Sequence, residues 1–486
     1  MAAAKTPSYE QNVPDTVYGY VAARSQGGVP MTQARRFESA APFRAEERVR
    51  ERAKEYARQA GLTVTAESRL GFAVAGSPAA YEQLTTGRIA SYEVRQRVEM
   101  SRERSVTHLD IIGDRQPRAL GIGAAPGEDT IEAVALEEPR VPMRLHPATA
   151  DPPLVADFHL TLPDDVARLL NATPAHQQGR VGRGVKVAMV DTGQAPHAYF
   201  TEHDYDVART LAVVPGTDAA EDPVGHGTGE SANIFAVAPG VRLRPYRASN
   251  QEGVLIAAMG GFLRAKARQP QVLTNSWGTP TRFPEDGPLP ELDRLWALEI
   301  RDALEEGIVV VFAAGNGHFS IEPQVPGVLS VGGVFSGPQG ELRASDYTSG
   351  YASPWFDGVV VPTVSGLVGL APLAQYLMLP IPPGCTIDVE ESDADDGTSP
   401  HDGWALFSGS SAAAPQIAGA AALLLEARPG LTPDEVTDAL ARTATDVTTG
   451  KNAFDIPARR GPDEATGAGL VNVSAALDFV LTHHNP

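Results

Sequence analysis

The feature that most limits what this chain can become is a set of short apolar runs spaced by helical stretches. Gly184-Val-Lys-Val-Ala-Met-Val190 reads as a buried strand and runs straight into Asp191-Thr-Gly193. Comparable runs stand at Val272-Leu-Thr274, Ile308-Val-Val-Val-Phe312 and Val328-Leu-Ser-Val331, and 254–267 and 289–306 carry helical patterns between them. A strand that is apolar at successive positions has no face to offer water, so it needs cover on both sides. Helices between such strands supply that cover and return the chain to begin the next strand in the same direction. The pattern predicts an α/β body of three layers around a mostly parallel sheet, with chemistry at the carboxyl ends of its strands.

At 486 residues the chain is long enough for two or three domains and at least one large core. A hydrophobic share of 42% with 21% charged residues excludes wholesale disorder. The net charge of −20 argues against a nucleic-acid partner, because phosphate must be met by a basic surface. It favours basic partners instead. Cys385 is the one cysteine, so no disulfide can form within the chain, which suits a reducing compartment. The opening residues lack the apolar run of a signal peptide, and no stretch approaches the roughly 18–20 apolar residues of a membrane span. The expectation is a cytoplasmic protein without membrane contact.

The N-terminal third reads differently. Val17-Tyr-Gly-Tyr-Val-Ala22 is strand-like, and 44–61 (RAEERVRERAKEYARQAG) sets opposite charges at helical spacing before a terminal glycine. Leu62-Thr-Val-Thr65 and Gly71-Phe-Ala-Val-Ala75 follow as short β-rich runs, and Ser77-Pro-Ala-Ala-Tyr-Glu opens a second helix. With a further strand near Thr130-Ile-Glu-Ala-Val-Ala135, the order is that of a small α+β, split-βαβ (ferredoxin-like) domain. The proline-rich stretch after it reads as a linker. The expected division is 1–136 as an accessory domain, 137–156 as linker and 157–486 as the main body.

Three blocks and a fourth carry the chemistry. Asp191-Thr-Gly193 alone suits a turn cap, Gly225-His226-Gly227-Thr228 a loop histidine, and Gly409-Ser-Ser-Ala-Ala-Ala-Pro415 a tightly packed helix start. Ala313-Ala-Gly-Asn316, after an apolar run, suits a turn. Taken together, the chain order Asp, His, Ser is one of the known orders of a catalytic triad. In VAMVDTG, GHGTG and GSSAAAPQIAG the sequence resembles the subtilisin-like (subtilase) serine peptidases, from about Asp157 to the C-terminus and including Gly467-Ala-Gly-Leu-Val-Asn472.

That resemblance implies a serine endopeptidase with the subtilisin-like fold. Ser411 would be the nucleophile, chosen over Ser410 because its spacing to Pro415 matches the family's. His226 would be the general base, and Asp191 would hold its tautomer. Asn316 would join the Ser411 N–H as an oxyanion donor. Ser276, Trp277 and Gly278 match the segment on which substrate is paired as an added strand, and Ala313, Ala314 and Gly315 would wall the primary pocket. Trp277 also suits a plain core position. The substrate is expected to be a peptide or protein, and the N-terminal domain to be a propeptide that assists folding and inhibits, with self-cleavage between Leu136 and Val155.

The chain departs from the family at Gly229, where a second histidine is common, at Ser410 for threonine, at Gln416 for histidine, and in an insert at about 362–402 that could shape the cleft rim. No cofactor is required on this reading. Calcium is conceivable at an acidic loop holding Asp388, Glu390, Asp393, Asp395, Asp396 and Asp402, whose plainer reading is a solvated surface. Two other functions suit parts of the pattern: a catalytically silent binding module on the same scaffold, and an esterase or peptide ligase. The G-x-S-x-G motif of α/β-hydrolases is not met at Ser411.

Overall fold

Residues 187–190 lie side by side with two neighbours, as their unbroken apolar character requires. The computed structural model describes residues 13–482, apart from 36, 86, 98–102, 113–128, 140, 143–157, 280–287 and 399–402. The central sheet runs in the order Asp206–Val207, Arg242–Arg247, Lys186–Asp191, Val272–Asn275, Val309–Ala313, Leu329–Ser336, Leu342–Ala344. Leu211–Ala212 and Val364–Leu367 add to it beside Arg242–Arg247 and Leu329–Ser336. All pairings are parallel except that of Leu342–Ala344, which runs antiparallel. The chain leaves Lys186–Asp191 to pair on one side and returns to pair on the other. Asp191 therefore ends the strand beside which the winding direction reverses, where sheets of this type open a crevice.

Alternate residues of each strand face opposite layers. Val187, Met189, Val309 and Val311 pack with Ile234 of the helix His226–Val237 and Ile417 of the helix Ser410–Ala427. Ala188, Val190, Leu273, Val310 and Phe312 pack on the other side with Phe262 of Ala258–Lys266 and Trp296 and Ile300 of Glu291–Glu305. These helices are a few residues shorter than the sequence pattern suggested.

In the N-terminal unit, strands Thr63–Glu67, Gly71–Gly76, Val17–Ala23 and Ile131–Leu136 form one antiparallel sheet in that order. Helices Glu47–Gln59 and Pro78–Leu84 cover one face through Ala53, Ala57, Ala80, Tyr81 and Leu84. This is the strand order of a split βαβ unit. A hairpin of Arg88–Arg97 with Glu103–Ile112, absent from the sequence reading, is inserted before its last strand. The linker at 137–156 falls largely outside the described residues, as does most of the expected self-cleavage interval.

The sheet's second face is not solvated. Tyr18, Tyr20, Ala73, Ala75, Ala133 and Ala135 pack into the same cluster as Phe262 and Trp296. Beneath this contact Lys266 Nζ lies 3.0 Å from Glu299 and 2.6 Å from Asp302. Arg69 and Arg44 cross from the N-terminal unit to Asp302 at 2.7 and 3.2 Å, and the Tyr20 hydroxyl donates to Glu299.

The insert and the acidic stretch differ from expectation. Leu377–Pro380 pairs with Trp404–Phe407 and with Leu160–Thr161, so the insert is part of the core beneath the His226–Val237 helix rather than only a rim. The acidic residues do not form one loop: Thr386–Asp393 is a helix with Asp388 and Glu391 buried, because Ile387 and Cys385 anchor it in the core.

Replacing Lys266 by methionine leaves two buried carboxylates without their ammonium, and should cost about 3–5 kcal/mol in denaturant unfolding of the full chain. Burial would raise the Asp302 carboxyl, but Lys266 and Arg69 outweigh it and hold it below its usual range. Stability from a depressed carboxylate is present above its unfolded pKa and lost as pH falls through the folded one. Unfolding midpoints should thus drop as pH is lowered from about 4.

Candidate active site

Asp191 leaves its strand with the carboxylate 1% exposed and fixed by the Thr192 N–H, which donates to Oδ1 at 2.7 Å. His226 opens its helix wholly buried, and its Nδ1 lies 2.7 Å from the same Oδ1. Two glycines make this approach feasible. Gly225, at φ 90°, turns the chain into the helix where a Cβ would stand 2.4 Å from Cys385 Sγ. At Gly227 a Cβ would meet the Gly193 carbonyl at 2.2 Å, so only glycine lets the helix start close on the Asp191 strand.

Asp222 completes the support, and the sequence reading missed it. Its Oδ1 accepts from Thr192 Oγ1 at 2.8 Å and from Gly225 N–H at 3.0 Å, and its Oδ2 accepts from the Thr228 N–H and hydroxyl at 2.8 Å. One buried carboxylate thereby ties the Asp191 turn to the His226 helix start. A D-x-x-x-H spacing just before a helix is the signal by which it could have been found.

Ser411 is the second residue of the helix Ser410–Ala427. Pro415 has no N–H, so the Ser411 carbonyl loses its partner four residues on. The Ser276 hydroxyl donates to that carbonyl instead, at 2.9 Å. Asn316 accepts from the Ser410 N–H through Oδ1 at 3.0 Å, while Ser410 Oγ accepts from the Gly315 N–H at 3.1 Å. With its oxygen so held, the Asn316 amide presents a buried Nδ2 donor that has no acceptor among the described residues. Such a donor costs stability unless something bound later accepts from it.

Other candidate residues fall as follows. Trp277 is a core side chain, packed on Trp296 and Phe312 and donating Nε1–H to the Val190 carbonyl at 2.7 Å. Its main chain has another use: Trp277–Gly278 pairs antiparallel with Val141–Pro142, the run that follows the N-terminal unit. Ala313 closes the Val309–Ala313 strand, Ala314 is buried against Tyr351 and Val361, and Gly315 at φ 109° passes to Asn316.

Glu230 is the second residue the sequence reading passed over. It sits one turn after His226, wholly buried, with Oε1 3.7 Å from His226 Nε2. The Ser411 hydroxyl is a hydrogen-bond neighbour of the same carboxyl, which places the serine and the imidazole at one spot. Desolvation outweighs the attraction of His226 and, with repulsion from Asp191, pushes the Glu230 carboxyl up to about 8. Asn233 Nδ2 donates to its Oε2 at 3.2 Å, and Gln416 Nε2 donates to Asn233 Oδ1 at 3.1 Å. Gln416 is in turn clasped by the Leu367 N–H and carbonyl at 2.8 and 3.1 Å. The glutamine that stands where histidine is common therefore fixes the asparagine that holds Glu230. Gly229 is glycine because a Cβ there would strike Phe407 at 2.6 Å.

No group of three or more His, Cys, Asp or Glu among the described residues is arranged to hold a metal ion. Asp388 Oδ2 accepts from the Gly384 N–H and both Asp396 oxygens accept from backbone N–H groups, so these oxygens brace local turns. Asp402 lies outside the described residues. Among those residues no helix is long and apolar enough to cross a membrane.

Comparison with known proteins places this geometry. Residues 182–469 match the model that defines the subtilase family. Subtilisin Savinase of Lederbergia lenta is 25% identical over 331 residues, 65% of this chain and 98% of the relative. Subtilisin E of Bacillus subtilis is 28% identical over 327 residues, 63% of this chain and 69% of the relative. Among solved structures, fervidolysin of Fervidobacterium pennivorans, a keratinolytic enzyme related to subtilisin, aligns with a TM-score of 0.56 at 18% identity, over 97% of this chain and 62% of that one. A lanthipeptide protease aligns at 0.50 with 22% identity, over 65% of this chain and 93% of its own.

On the reading of Asn316 as oxyanion donor, its replacement by alanine should lower kcat by about 10²–10³-fold with little change in KM, the donor then serving only the charged intermediate. Steady-state kinetics on a peptide amide reads this directly.

Proposed function

Because the chain belongs to the subtilase family and is a subtilisin-like serine endopeptidase, we propose that Asp191, His226 and Ser411 are its catalytic triad and that the N-terminal unit restrains it. The observation that carries this reading is the wholly buried His226–Asp191 contact at 2.7 Å beside the helix start that bears Ser411. A carboxylate on Nδ1 fixes the imidazole tautomer that leaves the Nε2 lone pair to act as the base. Ser411 Oγ attacks the scissile carbonyl carbon while its proton passes to Nε2. Asn316 Nδ2–H and the Ser411 N–H receive the oxyanion. The imidazolium then protonates the leaving amine, and water repeats the sequence to free the acyl group. Each step is a proton transfer, an addition to the carbonyl carbon or the elimination that breaks its bond to the amine or to Ser411 Oγ, so no cofactor is needed.

Substrate lies as an added strand on Trp277–Gly278. The antiparallel pairing of Val141–Pro142 with that segment supports this, as main-chain pairing asks for little sequence. It equally supports an inhibitory role for the N-terminal unit, since the same edge cannot serve two strands. Val141 lies opposite Gly278 and Pro142 opposite Trp277, so the chain runs toward Ser276, whose hydroxyl touches the Ser411 carbonyl, and this direction supports self-cleavage between Leu136 and Val155. The finer role is maturation of a particular peptide in the cytoplasm. The large buried contact of the N-terminal unit supports it, because tight restraint suits a protease with chosen substrates.

Full chain and its Ser411→Ala variant, compared by peptide hydrolysis and N-terminal sequencing, test this. Wild type should hydrolyse peptides and acquire a new N-terminus between 137 and 155, while the variant does neither. A folded wild type that stays uncut and inactive would favour the silent binding module.

A further inference from the structure

A glutamate at the centre of a serine peptidase site is not needed for the proton transfers described above. Glu230 is nevertheless wholly buried there, with Oε1 3.7 Å from His226 Nε2 and the Ser411 hydroxyl as hydrogen-bond neighbour. A chain of amides, from the Leu367 backbone through Gln416 and Asn233, fixes its orientation. Burying a carboxyl and two amides for packing alone would be unfavourable compared with apolar side chains of similar volume. The arrangement is a built one.

We propose that Glu230 is a positioning residue of the catalytic centre: its protonated carboxyl seats the Ser411 hydroxyl beside His226, and loss of that proton disables the centre. This rests on the protease reading of the same site. A neutral carboxyl can donate to Ser411 Oγ and leaves the serine proton free to go to Nε2. A carboxylate only accepts, so it takes the serine proton's hydrogen bond for itself and turns it from the imidazole. It also adds negative charge where the oxyanion must form.

The groups that face Glu230 are few. His226 is on its own helix, and Asp191 acts from the Lys186–Asp191 strand. The Ser410–Ala427 helix offers only the uncharged Ser411 and, through Asn233, Gln416. Leu377–Pro380 carries no titratable group, and the Asp164–Leu169 helix packs through Val166 while Asp165 and Arg168 pair at the surface. Desolvation with repulsion from Asp191 accordingly dominates, and the carboxyl holds its proton to about pH 8.

The test is the pH profile of kcat/KM for the full chain on a peptide amide. Wild type should rise as His226 loses its proton and fall again above about pH 8, approaching tenfold per unit. Glu230→Gln, which is uncharged at every pH, should lose the falling limb, so that its ratio of activity at pH 9.5 to pH 7 exceeds that of wild type by about tenfold or more. Asn233→Leu removes a donor that favours the ionised form, and should move the limb upward by roughly 0.5–1 pH unit. Normalised profiles of both variants that superimpose on wild type would overturn the proposal. If Glu230→Gln does not fold, by its circular dichroism melt, Asn233→Leu decides alone. Wild type inactive at every pH would instead sink the protease reading, which separates the two failures.

Discussion

The rest of the structure depends on one contact, the hydrogen bond between His226 Nδ1 and Asp191 Oδ1 inside a dry interior. A carboxylate buried without a partner would be expensive, so the helix that carries His226 has to arrive where the Lys186–Asp191 strand ends. Asp222 enforces that arrival by holding both turns, and Gly227 permits it by having no side chain. The parallel sheet supplies the strand end, and the reversal of winding beside it supplies the open crevice.

A second constraint links the N-terminal unit to this centre. Its sheet is apolar on both faces, so it cannot stand alone in water without exposing Tyr18, Tyr20 and the alanines beside them. Packing on Ala258–Lys266 and Glu291–Glu305 covers that face, and the buried ion pairs at Lys266, Asp302 and Arg69 make the docking directional. The chain then leaves the unit along Trp277–Gly278. The parallel sheet, whose strands pair across long sequence separations, is of a kind that folds slowly unaided.

Much of this was legible in the residues. The apolar runs at 184–190 and 308–312 announced central strands because a doubly covered strand has no polar alternation to disguise it. Pro415, whose spacing from Ser411 resembles the family's, is in the structure the residue that leaves the Ser411 carbonyl for the Ser276 hydroxyl to satisfy. Other elements were hidden. The hairpin Arg88–Arg97 with Glu103–Ile112 buries Ile89 and Ile111 in the core of the N-terminal unit, but charged residues interleave with its apolar positions on both strands and disguise the alternation. The acidic stretch after Cys385 looked solvated, yet Asp388 and Glu391 are buried because their neighbours are core residues. Glu230 was passed over for the same reason: a glutamate four residues after a histidine looks like a surface pair until the opposing helix is in place. Burial of a charge is decided by tertiary partners, and a single sequence shows only spacing.

The most direct measurement of the central claim is mass spectrometry of the full chain after reaction with a fluorophosphonate, with Asp191→Asn alongside. A serine activated by a correctly held imidazole should take one adduct, mapped to Ser411, and the variant should label far more slowly because its imidazole favours the wrong tautomer. An adduct on Ser410, or a folded wild type that takes none, would contradict the account.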